Sequence, residues 1–410
     1  MFPPNNQLLN ISIIAPSLLP VPAVKGGAIE SLITGFIDKN EEQKGIRITV
    51  FSPYKKEAAK LASKYYYSRF IWIRYNWINK VINGLMRMYS FIVNSKAPHF
   101  GIIQILYYLK RIHFDIVIIE GAIDYLEPVS KIIGREKVYL HLHSATLFGN
   151  PNVFTYCNKV IAVSNYIKNL VLTKTSKREE DVLVIKNCID ISSFNRGNNI
   201  KYRTAIRQKY GISDNDVVIC FTGRLVEGKG VRELIQSVMK LPEKLSFKLL
   251  IVGSAGSNFG LSNRRDDYYL EITTLAKQME NKVIFTGFIH NSKIPKILSA
   301  SDIAVIPSID IEAQGLTVLE GLAAGLPVVT TDSGGIPENV TDESAYVIKR
   351  DINLIDNLSL ALESLIDSKD KREAMGMAGL KHVQQYSYDN YYIDFLNLLT
   401  SSSANRHGKD

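Results

Sequence analysis

The chain is predicted to be an α/β protein made of two doubly wound parallel sheets, because short apolar strand candidates alternate with helical stretches in two separate series. The first series falls at 8–15, 46–51, 115–120, 138–143 and 159–163. The second falls at 217–222, 247–252, 282–286, 302–306 and 327–330. Each segment is hydrophobic nearly throughout, as strands covered by helices on both faces must be. With 410 residues, 46% of them hydrophobic and 22% charged, the chain is long enough to bury two cores.

Between the series, 191–203 (ISSFNRGNNIKYR) is polar and rich in Asn, the best linker candidate, and places a boundary near residue 195. The expected organisation is a first domain over 1–195 and a second over 196–385. A last helical pattern at about 389–399 lies beyond the second series, so 386–400 forms a separate C-terminal helix. The polar 401–410 is expected to be a disordered tail.

Composition excludes several classes. Cys157, Cys188 and Cys220 are odd in number and far apart, which suits buried thiols in a reducing cytoplasm better than disulfides or a metal knuckle. The early apolar run at 11–24 is broken by Pro16, Pro20 and Pro22 and lacks a basic residue before it, unlike a signal peptide. No apolar stretch is long enough to span a bilayer.

The net charge of +9 is concentrated. Residues 55–96 hold nine basic side chains and a single acid, Glu57, together with Trp72, Trp77 and several Tyr and Phe. From Trp77, the residues Ile78, Val81, Ile82, Leu85, Met88, Tyr89 and Ile92 recur at helical spacing with Lys80 and Arg87 between them. Such a basic amphipathic helix can lie on an anionic membrane surface, or can pack on a sheet with a basic outer face. Both stay open here. Nucleic acid is not expected, since no recognition motif accompanies the charge.

In doubly wound sheets ligands bind beyond the carboxyl ends of the strands, so the loops there carry the functional signal. After the first strand, Gly26 and Gly27 open a helix and let backbone approach a phosphate closely. After 217–222, Gly223-Arg-Leu-Val-Glu-Gly-Lys-Gly230 nearly spells a P-loop, but Gly230 stands where a hydroxyl should hold magnesium. With cations at Arg224 and Lys229, the loop is suited to neutralising a diphosphate by side chains. At 138–143 a strand ends in His141-Leu142-His143, with no Cys or carboxylate nearby in sequence to complete a metal set. Finally, Glu312 and Glu320 stand eight positions apart around Gly315, where a helix beginning at about Leu316 turns its N–H groups outward. Asp214-Asn215-Asp216 precedes its strand and is expected to be a turn, not a metal clamp.

In this order the motifs resemble the family 4 retaining glycosyltransferases of the GT-B fold, over almost the whole chain. Glu312-Ala-Gln-Gly-Leu-Thr-Val-Leu-Glu320 matches the acid-x7-acid signature, with Pro307-Ser308 before it. The Gly-Arg-Leu/Lys-Gly loop matches too, as do 163–165, 187–190 and 286–289. Two positions depart: Gln314 replaces a more usual aromatic or proline, which could alter donor-sugar preference, and Gly321 replaces the usual alanine. The resemblance implies two Rossmann-like domains facing across a cleft, an acceptor domain first and a nucleotide-sugar domain second, with the C-terminal helix returning to the first.

It also implies roles. Arg224 and Lys229 would bind the donor diphosphate, with Gly26 and Gly27 approaching it and the N–H groups of Leu316 and Thr317 helping. Glu320 would accept from the ribose, Glu312 would contact the sugar, His143 would face the reacting centre, and Phe288, Ile289 and His290 would border the base. The implied reaction is metal-independent, cofactor-free, retaining hexosyl transfer from a nucleoside-diphosphate sugar, with UDP favoured. The implied acceptor is a glycan or lipid-linked glycan, handled in the cytoplasm or at the inner membrane face during cell-surface polysaccharide synthesis. Rival expectations are a sugar-nucleotide epimerase or phosphorylase of the same architecture, or a non-catalytic surface-coat or partner protein that kept the fold.

Overall fold

The structure, a computed structural model, describes residues 8–74, 101–145, 151–255, 267–279 and 281–407. It divides into two compact units, 1–187 with 388–410, and 188–387. Each unit is built on an all-parallel sheet.

The first unit contains β1 (Asn10–Ile14), α1 (Ala28–Gln43), β2 (Arg47–Pro53), α2 (Lys56–Ala62), β3 (Ser68–Ile73), α3 (Gly101–Leu109), β4 (Ile116–Glu120), α4 (Leu126–Ile133), β5 (Val138–Leu142), β6 (Lys159–Ala162), α5 (Asn165–Lys174) and β7 (Val182–Val184). Its sheet order is β3-β2-β1-β4-β5-β6-β7. β1 is therefore flanked by β2 and β4, and the order reverses beside it, at the position where such sheets bind ligands.

The second unit contains β8 (Val217–Thr222), α6 (Val231–Met239), β9 (Phe247–Val252), α7 (Asp267–Ala276), β10 (Val283–Gly287), α8 (Ile294–Ala300), β11 (Ile303–Ile306), α9 (Leu316–Ala323), β12 (Val328–Thr331), β13 (Ala345–Ile348), α10 (Leu354–Asp367) and α11 (Lys369–His382), in sheet order β10-β9-β8-β11-β12-β13. Along β8 the side chains alternate between two cores. Ile219 and Phe221 pack with α6 and α10, whereas Val218 and Cys220 pack with α8 and α9. A strand feeding both faces has no polar position to spare, which is why these segments read as unbroken apolar runs.

The last helix, α12 (Tyr388–His407), belongs to the first unit. Phe36 of α1 meets the rings of Tyr391, Tyr392 and Phe395 at centroid distances of 6.1, 5.4 and 5.3 Å. Tyr392 Oη donates to Asn40 Oδ1 at 3.0 Å, and Tyr388 Oη to the Ser31 carbonyl at 3.1 Å. Gly35 and Gly45 make room: a Cβ would fall 2.1 Å from the Tyr388 ring at the first and 2.4 Å from Tyr392 Oη at the second.

Several expectations change. β3, β7 and β13 are additional strands at or near sheet edges, where alternation or shortness weakens the apolar signal. The stretch 191–203, expected as linker, folds into short helical turns within the second unit, and Asn199 is buried with its side chain donating to the Ser193 and Asn195 carbonyls. The chain crosses between units instead at 187/188 and again at 387/388. The backbone of 401–407, expected as a disordered tail, continues α12.

Of the basic segment, 56–62 is helix and 68–73 is strand. Lys64 pairs with Asp38 at 2.9 Å, Arg69 Nε donates to Thr49 Oγ1 at 2.9 Å, and Glu41 accepts the Tyr66 N–H, so this part docks on α1 and β2. The amphipathic pattern at 77–92 lies outside the described residues. All three cysteines are free and buried, and Asp216 is a turn residue accepting from Ser213 N–H at 2.8 Å. No described helix is long and apolar enough to cross a membrane.

Candidate active site

The expected site residues fall into two sets, one in each unit. In the second unit they gather at the carboxyl ends of β8 and β11. The loop 223–230 lies against 307–310, with the N–H groups of Ile309 and Asp310 both donating to the Gly228 carbonyl at 2.9 Å. Glycine is required at two points of this contact. A Cβ at Gly228 would sit 1.9 Å from Asp310 Oδ2; at Gly230, where φ is +71°, it would sit 1.9 Å from the Pro307 carbonyl oxygen. The departure from a P-loop is thus steric: the position of the magnesium-binding hydroxyl is pressed on backbone.

This packing brings Lys229 Nζ onto Glu312 Oε1 as an ion pair. Ser308 Oγ also donates to Glu312 Oε1, at 2.8 Å. The Glu312 backbone is pinned as well, its N–H donating to Ser333 Oγ at 3.1 Å and its carbonyl accepting the Gly335 N–H at 2.9 Å. Ser308, Ser333 and Gly335 therefore hold the loop acid in place, roles the sequence reading left unassigned. Arg224 is exposed and has no partner among the described residues.

Helix α9 starts at Gly315 (φ 83°) without a side-chain cap. The N–H groups of Leu316 and Thr317 have no hydrogen-bond partner among the described residues. Such an end attracts anions through its free donors and dipole. Glu320, a turn further in, keeps some access to solvent, yet burial pushes its carboxyl up to about 7. Gly321 lets α9 settle on the sheet, since a Cβ there would lie 2.8 Å from the Ala304 Cβ. Gln314 is buried, and its carbonyl accepts from Asn339 Nδ2. Phe288 and His290 are exposed after β10, and His290 Nδ1 accepts the Ser292 N–H at 3.3 Å, capping the turn before α8.

In the first unit, Gly26 and Gly27 have φ of +79° and +98° and lead directly into α1. Glu30 folds back over this turn, and a Cβ at Gly27 would lie 2.1 Å from Glu30 Oε2. Burial, with a smaller contribution from the charge of Glu120, raises the Glu30 carboxyl to about 7.

His143 follows β5 and does meet a carboxylate, contrary to what proximity in sequence suggested: Glu120 Oε2 is 2.7 Å from His143 Nε2 and 3.0 Å from His141 Nδ1. Sheet pairing does this, because β4 and β5 are neighbours with Glu120 opposite His141. Among the described residues this trio alone has donor atoms close enough to hold a metal ion, all within 4.8 Å. The 2.7 Å contact is however a hydrogen-bond length, whereas two tetrahedral zinc ligands at about 2.0–2.1 Å from the ion would stand roughly 3.3 Å apart.

Residues 202–382 match the family model for Glycosyl transferases group 1. The chain is similar to the uncharacterized glycosyltransferase MJ1607 of Methanocaldococcus jannaschii, 30% identical over 58% of this chain and 59% of that protein. It is also similar to a GDP-mannose-dependent monoacylated alpha-(1-6)-phosphatidylinositol monomannoside mannosyltransferase of Corynebacterium glutamicum, 32% identical over 48% of this chain and 51% of that one. These alignments thus span about half to three-fifths of each relative. In fold, Anabaena Alr3699/HepE, solved in complex with UDP and glucose, superposes with a TM-score of 0.73 at 20% identity, covering 96% of this chain and all of that one. Both sheets have the Rossmann-like parallel form of the GT-B fold. The likeness to the glycosyl transferases group 1 model thus falls on residues 202–382, almost all of the second unit.

Proposed function

We propose that the protein transfers a hexose from a UDP sugar, with retention and without a metal, to a glycan or lipid-linked acceptor. The observation that carries this is the α9 N-terminus, without a side-chain cap, set beside the Lys229–Glu312 pair and an exposed Arg224 that has no partner among the described residues. When the bond from the sugar C1 to the diphosphate breaks, negative charge grows on phosphate oxygens. Arg224, Lys229 and the N–H groups of Leu316 and Thr317 are fixed charges and dipoles suited to stabilise it, taking the place of a metal. Lys229 exchanges its pairing with Glu312 for the phosphate, which frees the carboxylate for sugar hydroxyls. The acceptor oxygen then bonds to C1 from the same face, and its proton passes to the departing phosphate oxygen.

UDP is favoured over GDP by the likeness to Anabaena HepE, solved with UDP and glucose; the likeness to a GDP-mannose-dependent enzyme makes GDP-mannose the comparison to run. The test is a thermal-shift titration with UDP-glucose and GDP-mannose. A ligand at about 100 times its Kd stabilises by roughly 2.7 kcal/mol, so the UDP sugar should raise the melting temperature by several degrees, and Lys229→Ala should abolish both the shift and transfer. A response to GDP-mannose alone would reassign the base, and a fully active Lys229→Ala would sink the site.

For the acceptor, the basic aromatic segment supports a lipid-linked glycan at the inner membrane face. Flotation should recover more protein with anionic than with neutral vesicles, and neutralising Lys80 and Arg87 should remove the difference. Equal recovery with both kinds of vesicle refutes the membrane contact.

A further inference from the structure

We propose that Glu120 is a positioning residue that fixes the tautomer of His143, so that Nδ1 of His143 is presented to a substrate hydroxyl as a bare hydrogen-bond acceptor. This rests on the assignment of His143 to the reacting centre.

The geometry is specific. Glu120 is the last residue of β4 and is paired in register with His141 of β5, so one of its carboxylate oxygens lies within 3.0 Å of a ring nitrogen of each histidine. An ionised carboxylate can only accept, so the nitrogen facing it, Nε2 of His143 at 2.7 Å, must carry the proton. In a neutral imidazole the other nitrogen is then bare. His143 Nδ1 has no hydrogen bond among the described residues. His141 is fully buried with its ring centroid 4.0 Å from that of His143, and Phe395 of α12 backs His141 at 5.3 Å. The two rings leave His143 little freedom to turn.

The protonation states agree with this geometry. Burial, reinforced by His141, lowers His143 to about 4 against the pull of Glu120. Burial pushes Glu120 upward, but its interactions with His141 and His143 outweigh it and hold the carboxyl at about 2. Among the described residues, Glu30 of α1 also faces the cluster, and the charge of Glu120 adds to the burial that raises its own carboxyl to about 7. At neutral pH the cluster therefore holds an ionised Glu120 and a neutral His143. Chemically, a neutral acceptor can orient a sugar hydroxyl without adding positive charge beside a developing oxocarbenium ion.

The test combines spectroscopy with kinetics. Imidazole 15N–1H correlation spectra of histidine-labelled protein, with His143 assigned by a His143→Asn variant, should show His143 as the Nε2–H tautomer between pH 6 and 8. Glu120→Gln, whose amide can donate, should shift it toward Nδ1–H. UDP release from UDP-glucose should fall on the order of 10²-fold in kcat with KM for the donor unchanged. A His143 found as Nδ1–H in the wild type, or a Glu120→Gln variant with wild-type kcat, overturns the proposal. The tautomer is read without catalysis, so it stays decisive for Glu120 if Glu120→Gln fails to fold. His143→Asn with full activity would remove His143 from the reaction, overturning the proposal while leaving the donor site standing. Loss of the UDP thermal shift in the wild type would instead count against the donor reading, since the diphosphate contacts lie in the other unit.

Discussion

At the scale of single residues, the two signature acids turn out to be physically unlike. Glu312 is tied to Lys229 and Ser308, whereas Glu320 is desolvated and raised to about 7. For Glu320 the sign is clear. Its folded pKa lies above the ordinary 4.5, so the folded state keeps a proton that the unfolded state releases, and this contribution to stability falls as pH rises from about 4.5 toward 7. Glu320→Gln should therefore melt at the same temperature as the parent at pH 5 and higher at pH 8, by about 2–4 °C for each kcal/mol recovered. An equal difference at both pH values would show that Glu320 is not the titrating group. On the proposed role of Glu320 as acceptor for the ribose hydroxyls, which the ionised form fills better, UDP affinity should weaken as pH drops below about 7, measured by calorimetry. Neither Ser308 nor Ser333 was legible as a support for Glu312, because a hydroxyl four or twenty-one residues away carries no mark of which backbone group or carboxylate it will meet.

At the scale of elements, the packing of α12 on α1 is the most exacting contact of the first unit. Phe36 is buried against three aromatic rings of α12, and Gly35 and Gly45 are small because tyrosines occupy the space of their side chains. Phe36→Ala should cost about 3–5 kcal/mol, the usual range for a buried Phe truncation, read as a fall in denaturant midpoint at unchanged slope. A loss below about 1 kcal/mol would mean that α12 is not held there in solution. The sequence showed α12 as a helix but could not show its partner, since α1 lies more than 340 positions earlier.

At the scale of the whole molecule, the chain begins and ends in the same unit and crosses to the other and back. Ending the chain after Ser387 removes Tyr391, Tyr392, Phe395 and Leu399, all buried in the first unit, each worth about 1.5–3 kcal/mol of burial. The second unit keeps its sheet, both cores, and the Lys229–Glu312 pair. The truncated protein should accordingly lose protection from proteolysis in 8–187 while retaining a thermal response to UDP. Equal loss of protection across both units would show that the second unit depends on α12.

By itself the sequence determined the α/β class, the two series of core strands, the helix at 316 and the placement of the Arg224–Lys229 loop and the Glu312/Glu320 pair after strands of the second series. These are set by period, by runs of apolar side chains and by residues a few positions apart, all local properties. Only the tertiary structure decided that Glu120 meets His143, that Lys229 meets Glu312, that Gly230 is glycine because Pro307 lies against it, and that 191–203 is packed helix instead of linker. Each of these depends on which strands become neighbours in a sheet. That choice minimises exposed apolar surface over a whole unit, so it is invisible in any short window of the chain.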